Sequence, residues 1–119
     1  FIYHQALSDC NGPINAKANL NLQNKGGNTA LVFAADKGRI DIAKALVDAK
    51  ADLNLQNDNG VTVLMIAIDR ENIDIADILI SAKADVNLQS KDGTTALIIA
   101  HNKGLADLEK ALLNAGARS

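Results

Sequence analysis

The chain has 119 residues, enough for one domain or a short array of repeats, and 48% of them are hydrophobic. Aromatic residues make up only 3% and Trp is absent, so a core must be built from Ala, Leu, Ile and Val. The formal net charge of −2 argues against a general attraction to nucleic acid or an anionic membrane, and no apolar run approaches the roughly 18 residues of a membrane helix.

The cysteine usage gives an expected compartment. Cys10 is the only cysteine, so no disulfide can form within the chain, and no Asn-X-Ser/Thr glycosylation signal is present. Both features favour a cytoplasmic location. No signal peptide is visible, and the first residue is Phe1 rather than Met, which is consistent with a fragment of a larger protein.

Residues 1–23 form a leading piece that matches the rest of the chain poorly. Pro13 falls where a second helix would run and would break it. Two interpretations stay open: a degenerate N-terminal cap with a short helix at about residues 2–10, or an array whose upstream repeats have been removed.

A fixed period of 33 residues organises the remainder. Leu-Asn-Leu-Gln occurs at 20–23 and 53–56, and 86–89 reads Val-Asn-Leu-Gln. Self-similarity at a fixed period is typical of a repeat array, in which a unit that cannot bury its own apolar face stacks on its neighbours. Aligned on this period, the units span residues 24–56, 57–89 and 90–119.

Each unit opens with a turn pair, preceded by alternating apolar and polar residues and followed by a threonine. Alternation is the period of extended chain, and turn residues of this kind accept the positive φ of a tight hairpin tip. The threonine is a good N-cap because its hydroxyl can accept a hydrogen bond from the first helical turn. The turn pairs are Gly26-Gly27, Asn59-Gly60 and Asp92-Gly93, and the threonines are Thr29, Thr62 and Thr95.

A short first helix follows each threonine and is apolar on most sides, which predicts a position between two neighbours. Gly38 and Gly104 supply its C-terminal stop. The middle unit has Glu71-Asn72 at that point, and we expect Asn72 to adopt the left-handed conformation there.

A second helix is predicted to start at Asp41, Asp74 and Asp107, where a carboxylate favours the positive end of the helix dipole. A helix of about nine residues is unstable alone in water, so every unit depends on its neighbours. Apolar pairs four residues apart define the buried face. These pairs are Ile42 and Leu46, Ile75 and Leu79, and Leu108 and Leu112.

This turn–helix–helix unit resembles the ankyrin repeat over roughly residues 16–119, on the string GNTALVFAADKGRIDIAKALVDAKADLN and its copies at 60–87 and 93–117. The resemblance implies an all-α solenoid formed by a single array over residues 1–119. Within that array we expect 1–23 to be a partial N-terminal repeat, 24–56 and 57–89 to be full repeats, and 90–119 to be a C-terminal cap.

The chain departs from the family pattern in two places. The usual Thr-Pro-Leu-His string becomes Thr-Ala-Leu-Val, Thr-Val-Leu-Met and Thr-Ala-Leu-Ile, which removes the preset φ of Pro and the His that ties the helix to its turn. The glycine that usually ends the second helix survives only as Gly116 and is otherwise Lys17, Lys50 and Lys83. If left-handed, each of these lysines costs on the order of 1 kcal/mol.

The last unit differs from the inner ones at positions that could face a following repeat. These changes shrink the side chain or make it polar, so we interpret the unit as a cap, with ordinary drift in an internal repeat as the alternative. The changed residues are His101, Glu109 and Ala106, in place of Ala35 and Ile68, Ala43 and Ala76, and Ile40 and Ile73.

No catalytic constellation is visible. His4 and His101 lie far apart in the array, and the chain has no phosphate loop, CxxC or HExxH motif. The Asp and Lys residues of the helices read as an alternating solvated face, which disfavours a metal site at Asp36 or Asp69. The sequence therefore predicts a non-catalytic monomer without metal or cofactor that binds another protein and neither nucleic acid nor membrane.

The resemblance implies that partners bind a concave face made by the hairpin tips and the first helices. One column is uniform in sign, Lys37, Arg70 and Lys103, and a repeat spacing of about 10 Å is near the Debye length at ~0.1 M salt. This column predicts a basic stripe for an acidic segment of a partner, and a merely solubilising surface is the alternative. The candidate partner-binding residues are Lys25, Asn28, Asp36, Lys37, Asp58, Asn59, Val61, Asp69, Arg70, Lys91, Asp92, Thr94, Asn102 and Lys103.

Two other functions stay open at this point. The array could be an accessory domain that recruits substrate for a larger enzyme or a bacterial effector. It could also be an engineered or reconstructed scaffold without a native partner, which the near-identical AKAxxNLQ strings favour and the irregular residues 1–15 disfavour.

Overall fold

A computed structural model describes residues 22–117 of the chain. The predicted N-terminal helix, the break at Pro13 and the left-handed conformation expected for Lys17 lie outside these residues. The described part forms three pairs of helices, and no strand is present within it. The helices are α1 (Ala30–Lys37), α2 (Ile40–Asp48), α3 (Val63–Asp69), α4 (Ile73–Ser81), α5 (Ala96–Asn102) and α6 (Ala106–Asn114).

Equivalent helices of successive repeats stack on each other in two layers. The first helices form one layer, in which α1 packs on α3 and α3 on α5. The second helices form the other layer, in which α2 packs on α4 and α4 on α6. Each first helix also packs on the second helix of its own repeat. The predicted all-α solenoid is therefore confirmed.

Small and aliphatic side chains fill the space between the layers. One continuous apolar cluster runs from Ala30 in the first described repeat to Ala117 in the last. In the middle repeat, Leu64, Ile68 and Leu79 are at most 1% exposed. Alanines at 0% exposure in both layers let the helices approach closely, which suits a chain with few aromatic residues.

The predicted threonines begin the first helices. The hydroxyls of Thr29 and Thr62 accept hydrogen bonds from the third residue of each helix, at 3.4 and 3.3 Å. Thr95 does the same at 3.3 Å. Because Thr29 and Thr62 are buried, this bond also satisfies hydroxyls that water cannot reach.

The ends of the first helices confirm one prediction and correct another. Gly38 and Gly104 are left-handed, with φ of 70° and 71°. The expectation for Asn72 is wrong: Glu71 is the left-handed residue, with φ 57°, and Asn72 has φ −83°. The Asn72 side-chain amide instead donates to the carbonyl of Ala35 in the preceding repeat, and Asn72 is the N-cap residue directly before α4.

The second helices begin one residue earlier than predicted, so that Asp41, Asp74 and Asp107 lie in the first turn. Their predicted apolar face is buried, except that Ile42 is only partly covered. Lys50 and Lys83 follow these helices with φ of 70° and 71°, as expected for residues that replace glycine.

The hairpin tips of successive repeats touch through their backbones. The Asp58 nitrogen donates to the Gly26 carbonyl at 3.0 Å, and the Lys91 nitrogen donates to the Asn59 carbonyl at 2.9 Å. A Cβ atom on Gly60 would lie 2.9 Å from the Lys91 nitrogen, closer than real Cβ contacts allow. Position 60 therefore favours glycine for two reasons: its φ of 77° is positive, and the neighbouring tip leaves no room for a Cβ atom.

The two roles of this glycine can be separated by comparing Gly60→Ala with Gly93→Ala. Both residues have positive φ, but a Cβ on Gly93 would meet nothing within 4 Å. We expect each variant to lose about 1 kcal/mol of unfolding free energy through backbone strain, and Gly60→Ala to lose about 1–3 kcal/mol more through the clash. Urea unfolding measures both losses, and equal losses would show that the tips do not pack tightly.

A glycine in place of a left-handed lysine should stabilise the array. Lys83→Gly removes about 1–2 kcal/mol of strain, part of which the greater freedom of glycine in the unfolded chain offsets, so we expect a gain of about 0.5–1 kcal/mol. Lys44→Gly, at an exposed position inside α2, is the control and should cost about 1 kcal/mol. A loss of stability in Lys83→Gly would contradict the strain at that position.

Candidate protein-binding surface

The first helices repeat one pattern on the side that the core leaves uncovered. In α1 this side presents Phe33, Asp36 and Lys37, spaced i, i+3 and i+4 and hence on one helix face. Stacking sets the equivalent residues of α3 and α5 beside them. The result is three parallel columns of side chains, which together we call the column surface. The apolar column is Phe33, Ile66 and Ile99, the mainly acidic column is Asp36, Asp69 and Asn102, and the basic column is Lys37, Arg70 and Lys103.

The charges of the column surface are paired diagonally between repeats. Asp36 Oδ1 lies 2.7 Å from Arg70 Nε, and Asp69 Oδ1 lies 3.9 Å from Lys103 Nζ. Within the first described repeat, Lys37 Nζ is 3.8 Å from Asp36 Oδ2. The predicted basic column therefore does not stand alone, because each carboxylate reaches a cation of the next repeat.

These ion pairs hold the side chains in place without adding much stability. In the closest pair the Arg70 and Asp36 side chains are 59% and 30% exposed. Water and salt screen such a pair, which is worth about 0–1 kcal/mol. A partner carboxylate can therefore compete for the Arg70 guanidinium at small cost to the fold.

The hairpin tips border the column surface and contribute the other candidate residues. Five of them are exposed at the tips, whereas Asn28, Val61 and Thr94 are partly buried. Asn28 also has a structural role, since its Oδ1 accepts from Asn57 Nδ2 of the next repeat at 3.1 Å. The five exposed tip residues are Lys25, Asp58, Asn59, Lys91 and Asp92.

A side-chain oxygen shapes each tip, and the residue that supplies it is not among the predicted site residues. Asn57 Oδ1 accepts from the nitrogens of Asn59 and Val61, both at 2.9 Å, and Asn24 plays the same part in the first described tip. The third tip has the shorter Ser90 instead. There the Ser90 hydroxyl donates to the Asp92 carboxylate, and both side chains accept from the backbone nitrogen of Thr94 at 3.2 Å.

These bonds favour the charged form of Asp92. The hydrogen bond from Ser90, followed by those from Thr94, holds the pKa of Asp92 below its usual value of 3.8. The charged carboxylate therefore supports the third tip above that usual value, and the support is lost as the pH falls through the lowered pKa.

A glutamine of the repeated Leu-Asn-Leu-Gln string ties adjacent tips together. Gln56 Nε2 donates to the Gly60 carbonyl of its own tip and to the Gln89 carbonyl of the next repeat, each at 2.8 Å. Gln23 makes the same pair of bonds at 2.7 and 3.3 Å. The recurrence of this glutamine at the same place in each unit is the sequence signal for its role. The alternation of apolar and polar residues around it indicates only an extended chain.

Two other kinds of site are absent from the described part of the chain. Within residues 22–117 no group of three or more His, Cys, Asp or Glu side chains is placed to hold a metal ion. No helix in that range has the length and apolar character to cross a membrane. His4 and Cys10 lie outside the described residues, and His101 contacts Glu109 at 3.4 Å on an outer face of the stack.

Comparison with known families agrees with the geometry. A family model described as ankyrin repeats, in three copies, matches residues 4–90 and 49–119. The two matches together extend over almost the whole chain. No curated protein matches the sequence.

The link between Ser90 and Asp92 can be tested by titration. Because the Ser90 hydroxyl is the main cause of the lowered pKa, Ser90→Ala should move the pKa of Asp92 up toward 3.8. Ser90→Thr keeps a hydroxyl and should leave the pKa low. Carboxylate chemical shifts followed by NMR between pH 2 and 6 measure both, and an unchanged Asp92 titration in Ser90→Ala would contradict this arrangement.

Proposed function

Because the chain belongs to the ankyrin-repeat family, whose members are generally protein–protein interaction modules, we propose that it binds another protein along the column surface and the neighbouring hairpin tips. The observation that supports this proposal is the recurrence in each repeat of one apolar position and one basic position, with an acidic residue between them in two of the three described repeats. Three equivalent positions in register suit an extended segment of a partner better than a compact small molecule.

The column surface suits binding because the stacked helices that carry it are in place before a partner arrives. Stacking joins α1 to α3 and α3 to α5, and the Asp36–Arg70 pair links the side chains of two adjacent repeats. A surface ordered in advance loses less conformational entropy on association. The half-buried Ile66 and Ile99 offer apolar area beside the charged columns, and interfaces commonly combine apolar and charged area.

We propose a partner segment that is acidic and also presents apolar side chains. The column surface has three cations and two carboxylates, so it keeps an excess of positive charge despite the diagonal pairs. Carboxylates of an acidic segment would form ion pairs with Lys37 and with Arg70, where they would displace Asp36. The apolar side chains of the segment would pack on Phe33 and Ile66. Such charges act mainly on the association rate and on the choice of partner.

We propose further that the chain works by binding alone. Ankyrin-repeat proteins are typically non-catalytic. The array would then act as a monomer without cofactor, and the charge pattern of the column surface would set its selectivity. A cytoplasmic location remains our expectation from the single cysteine.

The test compares three baits in affinity capture followed by titration of the captured protein. One is the natural chain, and the second has Lys37→Glu, Arg70→Glu and Lys103→Glu. The third is a control of equal charge change away from the column surface, with Lys44→Glu, Lys83→Glu and Lys110→Glu. Circular dichroism first checks that all three are folded.

We expect the natural chain and the control to retain the same partner and the column variant to lose it. The captured partner should bind the column variant at least about 10-fold more weakly at low salt, and the difference should shrink as salt rises. Equal affinities of all three baits for that partner at low salt would contradict the proposal.

A further inference from the structure

The columns of the column surface repeat at the distance between stacked helices. α1 packs on α3, and α3 packs on α5. The axes of packed helices lie about 8–10 Å apart, so one apolar side chain and one cation recur at about that distance along the stack. Within each first helix these two residues are spaced i and i+4, which places them about 6 Å apart along the helix axis. A partner therefore meets two parallel rows that share one period.

All three cations of the basic column can accept a further carboxylate. Lys37 Nζ and Lys103 Nζ lie 3.8 and 3.9 Å from the carboxylates of Asp36 and Asp69, at the outer limit of an ion pair. Arg70 Nε lies only 2.7 Å from Asp36 Oδ1, but its side chain is 59% exposed. An ammonium group carries three donor hydrogens and a guanidinium five, so each cation has donors left for a partner.

The period of the columns distinguishes between the conformations of an extended partner segment. A polyproline II helix has three residues per turn and advances about 3.1 Å per residue, so side chains of one row recur at about 9 Å. A β-strand brings side chains to one face at about 6.6–6.8 Å. A strand that reaches both Lys37 and Lys103 therefore misses Arg70 between them, whereas polyproline II presents one side chain of a row to every repeat.

An α-helix comes close to the same period, but it has to be folded before it binds. Helical residues seven positions apart are separated by about 10.5 Å, so a helix needs about 15 residues to reach three repeats. A helix of about that length is marginally stable alone in water. Polyproline II is a major conformation of unfolded chains, and a segment that already adopts it loses less entropy on binding.

Resting on the proposed function, we propose that the partner segment binds in the polyproline II conformation and carries an acidic residue at every third position, with an apolar residue next to each. Two of its three rows of side chains then face the array. The acidic row lies along the basic column, and the apolar row lies along the apolar column. The third row faces solvent, and its residues are not selected.

The test compares two fluorescent peptides of one composition, titrated with the full chain at low salt. The triplet peptide consists of three Glu-Leu-Pro units. The shuffled peptide, Glu-Leu-Glu-Pro-Glu-Leu-Pro-Leu-Pro, has the same charge but places its glutamates at every second position. We expect the triplet peptide to bind at least about 5-fold more tightly than the shuffled peptide. The variant with Lys37→Glu, Arg70→Glu and Lys103→Glu should bind neither.

The middle cation gives a sharper version of this test. Because Arg70 is the residue that a strand-like spacing misses, Arg70→Gln should remove most of the preference for the triplet peptide. Lys44→Gln makes the same change of charge at an exposed residue of α2 and should preserve the 5-fold preference. An equal loss of preference in the two variants would show that net charge, rather than spacing, decides binding.

Three further results would overturn the proposal. Equal binding of both peptides, lost in the triple glutamate variant, would exclude the spacing and leave the proposed function standing. Binding of neither peptide at millimolar concentration would exclude recognition of the triplet pattern, and the affinity capture would then decide the proposed function separately. Tighter binding by a helical peptide with glutamates seven residues apart would exclude polyproline II as the bound conformation.

Discussion

The whole structure depends on the burial of one repeat's apolar face by the next. Helices of seven to nine residues cannot hold themselves together in water. They persist because Leu64, Ile68 and Leu79 lose nearly all contact with solvent between two neighbours. The tips follow the same rule at the level of the backbone, where Gly60 lets the next hairpin approach and Gln56 bonds to it. The surface available for binding is what this stacking leaves uncovered.

The sequence predicts well those features that depend on one residue and its conformation. The threonine caps, the glycine stops and the left-handed Lys50 and Lys83 could all be read from residue type and period. The expectation for Asn72 is wrong because it rests on local preference alone, whereas the Asn72 amide donates to the Ala35 carbonyl of the preceding repeat. A hydrogen bond between residues 37 positions apart joins two repeats, so it cannot be predicted from the sequence of one repeat.

The candidate surface was predicted in outline, and its charge pairing was not. The period predicts the basic column and its flanking carboxylates. Asp36 contacts Lys37 of its own repeat and, more closely, Arg70 of the next, because of the offset between stacked helices, which the period does not define. The same offset sets Ile66 and Ile99 beside the charges, and it turns a stripe of one sign into a mixed surface with an apolar strip.

Native-state hydrogen exchange, resolved by repeat, tests the dependence on stacking most directly. The middle helices α3 and α4 have a neighbour on both sides, whereas α5 and α6 have an exposed outer face with Ile98 and Leu113. If stacking supplies the stability, amides of α3 and α4 should exchange only through the unfolding event of highest free energy. Amides of α5 and α6 should exchange through local unfolding events of lower free energy. Equal protection of all these helices, or greater protection of α5 and α6, would contradict the view that each repeat is held by its neighbours.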